Sequence, residues 1–468
     1  MGKILGGYLF PHPPIIIDKI GQGKEKKAIK TIEGAKALAR DIKGKAPATI
    51  IVITPHGPLF TDAISISIEE VLKGDFKSFG YGEIELDYKN NMLLAYTIIR
   101  NSLKENIMIA QVNKEFAKNY NIDYKLDHGV MVPLYFVDKE YKNFEVIHIT
   151  YGLLSPKDLY RFGQCIKSAV EESKGNAIIL ASGDLSHKLS NEGPYSYSPF
   201  GKEFDEKIVE VLKAGDMEAI INFDLELGEK AGECGLRSLM IMAGTLDKAD
   251  IKSEVLSYEG PFGVGYATAK LEVIGENDRD ILGGIEKEVN KRIKSIRENE
   301  DEYVNLARRS LEHYVKTGEY MKIPKDIPLN LLNERSAVFV TIKKNGMLRG
   351  CIGSTKPQEK NIATEIIKYA VNAGIKDPRF ESIEEMELEK LVYSVDVLSK
   401  SEPVESKNQL DIERYGVIVS KGFRSGLLLP NIEGVDSVDE QIRIALTKAG
   451  INEDEDYTME RFEVIRHH

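Results

Sequence analysis

Apolar and polar positions along residues 1–272 follow two alternating patterns. Short apolar runs predict buried strands, and longer segments between them have the three- and four-residue apolar spacing of amphipathic helices. The strand-like segments are "KILGGYLF" (3–10), "ATIIVITPHG" (48–57), "FEVIHITYG" (144–152), "NAIILASGDLSH" (176–187) and "YEGPFGVGYATAKLEVI" (258–274). The helix-like segments include 26–43 and 156–173. This alternation predicts an α/β domain with a central mixed sheet flanked by helices.

The pattern changes towards the middle of the chain. Residues 276–297 are highly charged and hold isoleucine and valine only at single positions, which predicts a linker helix. We therefore expect a first domain at 1–275 and a second domain at 298–468.

The second domain has the mixed pattern of an α+β fold. Helices are predicted at 302–315, 360–375 and 438–451, and strands at 390–399 and 415–430. The segment "SAVFVTIKKNGMLRGCIGS" (336–354) predicts a β-hairpin, because its Asn345-Gly346 pair suits a type I′ turn.

Composition excludes several classes of protein. The chain of 468 residues has 63 Lys and Arg against 74 Asp and Glu and no basic stripe, so we expect no nucleic-acid partner. The first apolar run is too short for a signal peptide, and no apolar stretch reaches the ~18 residues of a membrane span. Cys165, Cys234 and Cys351 are too few and too scattered for a disulfide framework. A cytoplasmic protein without membrane contact is expected.

The histidine positions suggest the chemistry. Four of the eight histidines lie in loops rich in proline and glycine beside predicted strands: His12 in "FPHPP", His56 in "TPHGP", His128 in "LDHGVMVP" and His187 in "SGDLSHK". Loops at strand ends build the ligand crevice of an open α/β sheet. We therefore expect these four imidazoles to lie near one another. No role is assigned to the remaining histidines, which are His148 in a predicted core strand, His313, His467 and His468.

Two of these histidines have the separation expected of metal ligands. A non-haem iron(II) oxygenase binds its metal through two imidazoles and one carboxylate, and keeps positions open for substrate and dioxygen. His12 and His56 are a whole βα unit apart, and adjacent prolines restrict their loops. Glu233, directly before a predicted helix, offers the carboxylate. Cys234 lies beside it, where a helix N-terminus favours a thiolate.

The ordered set "FPHPP", "TPHGP", "DHGVMVPL", "SGDLSH" and "YEGPFGVGY" resembles class III extradiol ring-cleavage dioxygenases, and also the related Memo proteins, over about residues 4–272. The resemblance implies that His12 and His56 bind the metal. It implies that His187 is the catalytic acid/base, and that His128 contacts bound oxygen or substrate.

The third ligand differs between the two groups of relatives. Dioxygenases of this class place a glutamate before a late helix, which implies Glu233. Memo-like proteins have a Cys-Gly-Arg type segment there, which "CGLR" partly resembles and which implies Cys234.

Two functions follow from this resemblance. The first is an iron(II)-dependent dioxygenase that cleaves a small catechol-like aromatic with dioxygen. The alternative is a Memo-like metal-binding redox or interaction protein without ring cleavage, in which copper or zinc could replace iron. Three aromatic residues that follow "SGDLSH" are candidates to line an aromatic pocket: Tyr195, Tyr197 and Phe200.

The second domain resembles the AMMECR-type domain through "MLRGCIGS", "DPRF" and "GLLLPNIEGVDS". Relatives with this fusion are associated with a radical-SAM protein, which is therefore an expected partner. A homodimer is expected from the frequency of such assemblies alone.

A second candidate site follows from "RGCIG". Arg349 and Cys351 alternate along a strand, so both side chains face one side, where a nearby cation can activate the thiol. Asp377 and Arg379 of "DPRF" are expected to join them. The alternative is that Cys351 is a small core residue between glycines.

Overall fold

A computed structural model of the protein describes residues 1–193, 195–344, 347–432 and 435–468. The chain forms two compact units, Met1–Leu282 and Gly283–His468. No helix in the described part of the chain is long and apolar enough to cross a bilayer.

The described strands of the first unit are β1 (Ile4–Phe10), β2 (Thr49–Thr54), β3 (Ile64–Ser67), β4 (Val71–Phe76), β5 (Tyr81–Lys89), β6 (Ile109–Val112), β7 (Glu145–Thr150), β8 (Ala177–Ser182), β9 (Ala249–Glu259) and β10 (Tyr266–Glu276). Its described helices are α1 (Asp18–Gly21), α2 (Ile29–Lys45), α3 (Met92–Lys104), α4 (Lys114–Tyr120), α5 (His128–Asp138), α6 (Pro156–Glu172), α7 (Pro199–Ala214), α8 (Met217–Ile221), α9 (Leu225–Ala231) and α10 (Leu236–Thr245). Helix α11 (Ile281–Glu298) follows.

An eight-stranded mixed sheet forms the centre of the first unit, in the order β6-β3-β7-β2-β8-β1-β10-β9. Its central strands β7, β2, β8 and β1 are parallel neighbours, whereas β10 pairs antiparallel with both β1 and β9. Strands β4 and β5 form a separate two-stranded ribbon. The expected α/β fold with a central mixed sheet is confirmed.

Helices cover both faces of this sheet because its central strands are apolar on both sides. Tyr8 and Phe10 of β1 belong to a buried cluster with residues of α2 and α5. Gly7, directly before Tyr8, faces the other side, where an added Cβ would lie 2.5 Å from the sulfur of Met242 in α10. The sheet is therefore closed above and below, and its strand ends are the open part.

The described strands of the second unit are β11 (Val338–Lys344), β12 (Met347–Gly353), β13 (Leu391–Leu398), β14 (Glu402–Val404), β15 (Gly416–Lys421), β16 (Arg424–Leu428), β17 (Thr458–Phe462) and β18 (Val464–His467). Its described helices are α12 (Glu302–Thr317), α13 (Leu329–Asn333), α14 (Ile362–Ile375) and α15 (Val438–Ala449).

Two antiparallel four-stranded sheets organise the second unit, in the orders β12-β11-β13-β18 and β14-β17-β15-β16. Helices α12 and α14 share a buried core with the first sheet, and α15 shares another with the second. The expected α+β class and the β11–β12 hairpin are confirmed. The Asn345-Gly346 turn predicted for this hairpin lies outside the described residues. The predicted strand at 415–430 is a hairpin that turns at Gly422, where φ is +61°.

Candidate metal centre

The carboxyl ends of four parallel strands meet at one edge of the large sheet. Phe10 of β1 is in register with Ser182 of β8, and Thr54 of β2 with Thr150 of β7. Because these residues end their strands together, the loops that follow open side by side. Three of those loops carry a predicted site histidine: His12 after β1, His56 after β2 and His187 after β8.

Three imidazoles converge at this edge. One ring nitrogen from each of His12, His56 and His128 lies within 4.8 Å of the other two, and within the described residues this is the group of three with metal-ligand spacing. His12 Nε2 is 3.0 Å from His56 Nε2. The rings of His56 and His128 stack with centroids 4.2 Å apart. The expectation that the imidazoles lie near one another holds for these three residues.

His128 lies at the start of a helix, so the expectation that it lies in a loop is wrong. It is the first residue of α5, and Asp127 caps that helix by accepting the Gly129 N–H at 2.7 Å. The cap satisfies one of the free N–H groups of the first turn. The motif "DHG" therefore marks a helix N-terminus that aims the imidazole across the strand ends.

Burial keeps these imidazoles neutral at pH 7. It is the largest cause that lowers the pKa of each ring, and neighbouring histidines lower the pKa of His12 and His56 further. The pKa of His56 falls to about 4, although the residue as a whole is exposed. His12 is 2% exposed. Neutral imidazole is the form of histidine that binds metals.

A largely buried aspartate, Asp127, with its side chain 10% exposed, connects the loop after β2 to the start of α5. Besides capping α5, its Oδ1 accepts the Thr54 hydroxyl at 2.7 Å, and Thr54 Oγ1 in turn accepts the His56 N–H at 3.2 Å. Its Oδ2 pairs with His148 Nε2 at 3.0 Å. Burial raises the pKa of Asp127, but its bond to His148 and its other partners hold that pKa below its usual range. His148 is a buried strand residue, as expected, and it also supports this carboxylate.

Cys234 lies between two of the predicted site histidines. Its Sγ is 3.6 Å from Nε2 of His12 and 3.6 Å from Nε2 of His187. Burial raises the pKa of this thiol well above its usual value, so it is protonated at pH 7 unless a cation lies beside it. The position of Cys234 depends on a close approach of two loops that requires glycine, because a Cβ on Gly183 would lie 2.1 Å from the Cα of Gly235. The loop after β8 and the loop before α10 therefore touch backbone to backbone.

The carboxylate of Glu233 is hydrogen-bonded to the main chain a few residues later. Its Oε2 accepts the N–H of Leu236 at 2.6 Å, at the start of α10. Burial raises the pKa of Glu233. Among described residues, it is not part of the group of three with metal-ligand spacing. Its assignment as a ligand stays a prediction, as does that of Cys234.

Sequence reasoning missed a second carboxylate at the site, Asp184. Its Oδ1 accepts the His12 N–H at 2.9 Å, and its Oδ2 is 3.9 Å from His12 Nε2. Burial raises the pKa of Asp184 to about 7. A signal was available, because Asp184 is the aspartate of the motif "SGDLSH". Asp127 was similarly visible as the residue before His128.

Aromatic side chains border the histidines on two sides. Tyr195, Tyr197 and Phe200 are all exposed, but Tyr195 stacks on His187 with ring centroids 5.5 Å apart. Phe79 meets the His128 ring edge to face at 5.3 Å. Phe79 also borders a cavity of about 450 Å³, whose other lining residues are Pro14, Ile15, Ile20, Gly21, Gln22, Lys24 and Tyr81.

The second unit brings together three of its four predicted site residues. The Cys351 N–H donates to Asp377 Oδ2 at 2.9 Å, and Arg379 Nη2 donates to the same oxygen at 2.7 Å. The Arg379 guanidinium holds the pKa of Asp377 well below its usual range. Arg349 instead pairs with Glu387 at 2.9 Å.

The donors at the sheet edge fit a divalent metal. Three neutral imidazoles suit iron, copper or zinc, and a site with three protein ligands leaves positions for substrate. Ser182 Oγ lies 2.9 Å from His12 Nδ1, as the outer groups that orient metal-binding histidines do, and Thr54 Oγ1 holds the main chain of His56 by accepting its N–H.

Comparison with known proteins identifies the class. Residues 6–269 match the family described as the catalytic LigB subunit of aromatic ring-opening dioxygenase. That match spans more than half of the chain, so the protein belongs to this family. Residues 304–467 match AMMECR1. Both family resemblances expected from the motifs are confirmed.

Relatives share the same two-part chain or one part of it. A Clostridium acetobutylicum protein is 45% identical over 463 residues, covering 99% of this chain and 98% of its own. A Thermotoga maritima protein is 48% identical over 170 residues, 36% of this chain and 98% of its own. The crystal structure of an uncharacterized Pyrococcus horikoshii protein has 35% sequence identity and a TM-score of 0.33, covering 35% of this chain and 88% of that one. None of these three descriptions states an activity.

Proposed function

We propose that the first domain is a metal-dependent oxidoreductase that opens the ring of a small catechol-like aromatic with dioxygen. One observation carries the proposal. Three neutral imidazoles converge within 4.8 Å at the open edge of a sheet whose sequence belongs to the ring-opening dioxygenase family. The aromatic borders of the site support a flat, apolar substrate.

In this proposal His12 and His56 bind the metal, and His128 offers a third donor whose ring nitrogen lies within 4.8 Å of both. Iron(II) is the preferred ion, with copper and zinc as alternatives. When bound, iron(II) supplies a Lewis acid for the two substrate oxygens and the redox chemistry toward dioxygen.

His187 has the role of proton acceptor. Burial lowers its pKa to about 4, with a smaller effect from His56, so its ring is neutral at pH 7 and can take a phenolic proton. Tyr195 covers one face of the ring, which limits the directions from which it can be approached. His128, beside the cavity at Phe79, can contact the bound substrate or oxygen if another residue supplies the third ligand.

The alternative function is favoured by Cys234. A thiol 3.6 Å from His12 Nε2 is better placed to join the site than the carboxylate of Glu233, which caps α10. A metal held with a thiolate suits a Memo-like redox protein without ring cleavage. In that case the AMMECR1 domain and a radical-SAM partner would supply the remaining chemistry. In either case we propose a cytoplasmic location, because all three cysteines are free.

The test is metal analysis of the full chain purified without oxygen, followed by oxygen uptake with a panel of catechols. One equivalent of iron and uptake that depends on a catechol, with a yellow ring-opened product, is the expected result. His187→Ala serves as the control, because it should keep the metal and lose the uptake. Bound metal without uptake on any catechol would refute ring cleavage and favour the alternative.

A further inference from the structure

Helix α5 contains a proline, Pro133, in its interior. Proline has no N–H, so the carbonyl four residues earlier, that of Gly129, lacks its donor within the helix. Ser182, at the end of β8, replaces that donor: its hydroxyl donates to the Gly129 carbonyl at 2.5 Å. Ser182 is fully buried, so this hydroxyl has no competing bond to bulk water.

The bond to Gly129 uses the single proton of the Ser182 hydroxyl. Ser182 Oγ also lies 2.9 Å from His12 Nδ1. Since a hydroxyl has one donor and two acceptor positions, Oγ can only accept at Nδ1. Nδ1 of His12 therefore holds the ring hydrogen. A neutral imidazole has one N–H, so Nε2 is left as an unprotonated acceptor.

A second neighbour of His12, Asp184, favours the other tautomer. Asp184 Oδ2 lies 3.9 Å from His12 Nε2 and favours a hydrogen on that nitrogen. Nε2 is also the atom 3.0 Å from His56 Nε2, and so the atom that a shared metal needs free. Without the Ser182 acceptor, His12 would be drawn toward the tautomer that cannot bind a metal through Nε2.

We propose that Pro133 and Ser182 are positioning residues that fix His12 in the Nδ1–H tautomer, with Nε2 free to bind a divalent metal. The inference rests on the metal site of the proposed function, but not on the reaction. Pro133 acts on His12 through two hydrogen bonds. Because Pro133 has no N–H to donate to the Gly129 carbonyl, the Ser182 hydroxyl donates to that carbonyl instead, and only its lone pairs face His12.

The experiment compares four full-length proteins: wild type, Ser182→Ala, Pro133→Ala and the control Pro156→Ala. Pro156 is the first residue of α6, where a missing N–H costs no helical bond. The first readout is long-range ¹⁵N NMR of the metal-free proteins, which distinguishes the two neutral tautomers of His12. The second is the cobalt(II) dissociation constant from a spectroscopic titration.

Wild type and Pro156→Ala should show the Nδ1–H tautomer and equal cobalt(II) affinity. Ser182→Ala should lose the fixed tautomer and bind cobalt(II) roughly 10- to 100-fold more weakly. Pro133→Ala should show a mixture of tautomers and roughly two- to tenfold weaker binding, because the new N–H competes for Gly129. Alanine favours helix, so Pro133→Ala should melt at the same temperature as wild type or higher.

Weaker cobalt(II) binding in a Pro133→Ala protein that is at least as stable as wild type would distinguish a positioning role from a purely structural one. A purely structural role predicts a more stable Pro133→Ala protein with unchanged tautomer and affinity, and this result would overturn the inference. An Nε2–H tautomer in wild type would overturn it as well. Absence of oxygen uptake would refute the proposed reaction and leave the tautomer result standing, because the NMR readout needs neither metal nor substrate.

Discussion

Replacing Thr54 with valine should loosen the metal site without opening a cavity. Thr54 is fully buried, and valine has nearly the same shape. Its hydroxyl makes two contacts: it donates to the Asp127 carboxylate at 2.7 Å and accepts the His56 N–H at 3.2 Å. The substitution removes both.

The magnitude follows from the kind of each bond. A hydrogen bond to a charged group contributes about 1.5–3 kcal/mol and a neutral one about 0.5–1.5 kcal/mol, so Thr54→Val should lose roughly 2–4 kcal/mol of stability. A domain with roughly 5–15 kcal/mol of stability should still fold. Because the lost bonds hold His56 relative to the start of α5, metal affinity should fall roughly 10- to 100-fold.

The matched control is Thr54→Ser, which keeps the hydroxyl and deletes a methyl group. It should lose about 1 kcal/mol of stability through lost burial, and it should bind metal as tightly as wild type. Both variants can be compared by thermal unfolding and by cobalt(II) titration. The reasoning is refuted if Thr54→Val binds cobalt(II) as tightly as wild type, or if Thr54→Ser binds it more weakly than Thr54→Val.

Four further predictions follow from the same contacts. His187→Ala should keep cobalt(II) affinity within about threefold; loss of the metal would make His187 a ligand instead. Glu233→Gln should leave metal affinity unchanged, because its carboxylate is held by the Leu236 N–H, and a loss of affinity would make Glu233 a ligand; Cys234→Ser should also leave it unchanged when three histidines hold the metal, and a loss of affinity would favour the alternative function. The pKa of His187, about 4 when folded, lies below its unfolded value of about 6.5, so the unfolded state binds more protons in that window. Stability should therefore fall as pH drops from about 6.5 to about 4, with a shallower slope in His187→Asn, as measured by thermal unfolding. Asp377→Ala should destabilise the second domain by roughly 2–4 kcal/mol in urea unfolding, because it removes the acceptor shared by Cys351 and Arg379; an unchanged midpoint would count against that pairing.

Much of the fold could be predicted from local pattern. Strands β1, β2, β7 and β8 are continuous apolar runs because the sheet is covered on both faces, and such runs are easy to recognise. Antiparallel pairing in the second domain followed from the hairpin pattern. The register that aligns Phe10 with Ser182 could not be read from sequence, since it depends on contacts between residues far apart in the chain.

Part of the site could also be predicted from the local strand pattern. His12 and His56 follow strands directly, so strand ends place them. The pattern predicts a loop at His128, because Gly129 follows it directly and Pro133 lies in the same segment, although His128 is the first residue of α5. Asp127 and Ser182 both lie in sequence motifs, but their roles depend on hydrogen bonds between separate elements, which no local pattern encodes.

Cobalt(II) titration of the metal-free protein tests the central claim most directly. Wild type should bind one equivalent, and His12→Ala, His56→Ala and His128→Ala should each weaken binding by roughly 100-fold or more, because each removes a donor. The control His313→Ala, on α12 of the second domain, should bind as wild type does. A wild-type protein that binds no metal, or a triple alanine variant that still binds one equivalent tightly, would contradict a metal centre built from these three histidines.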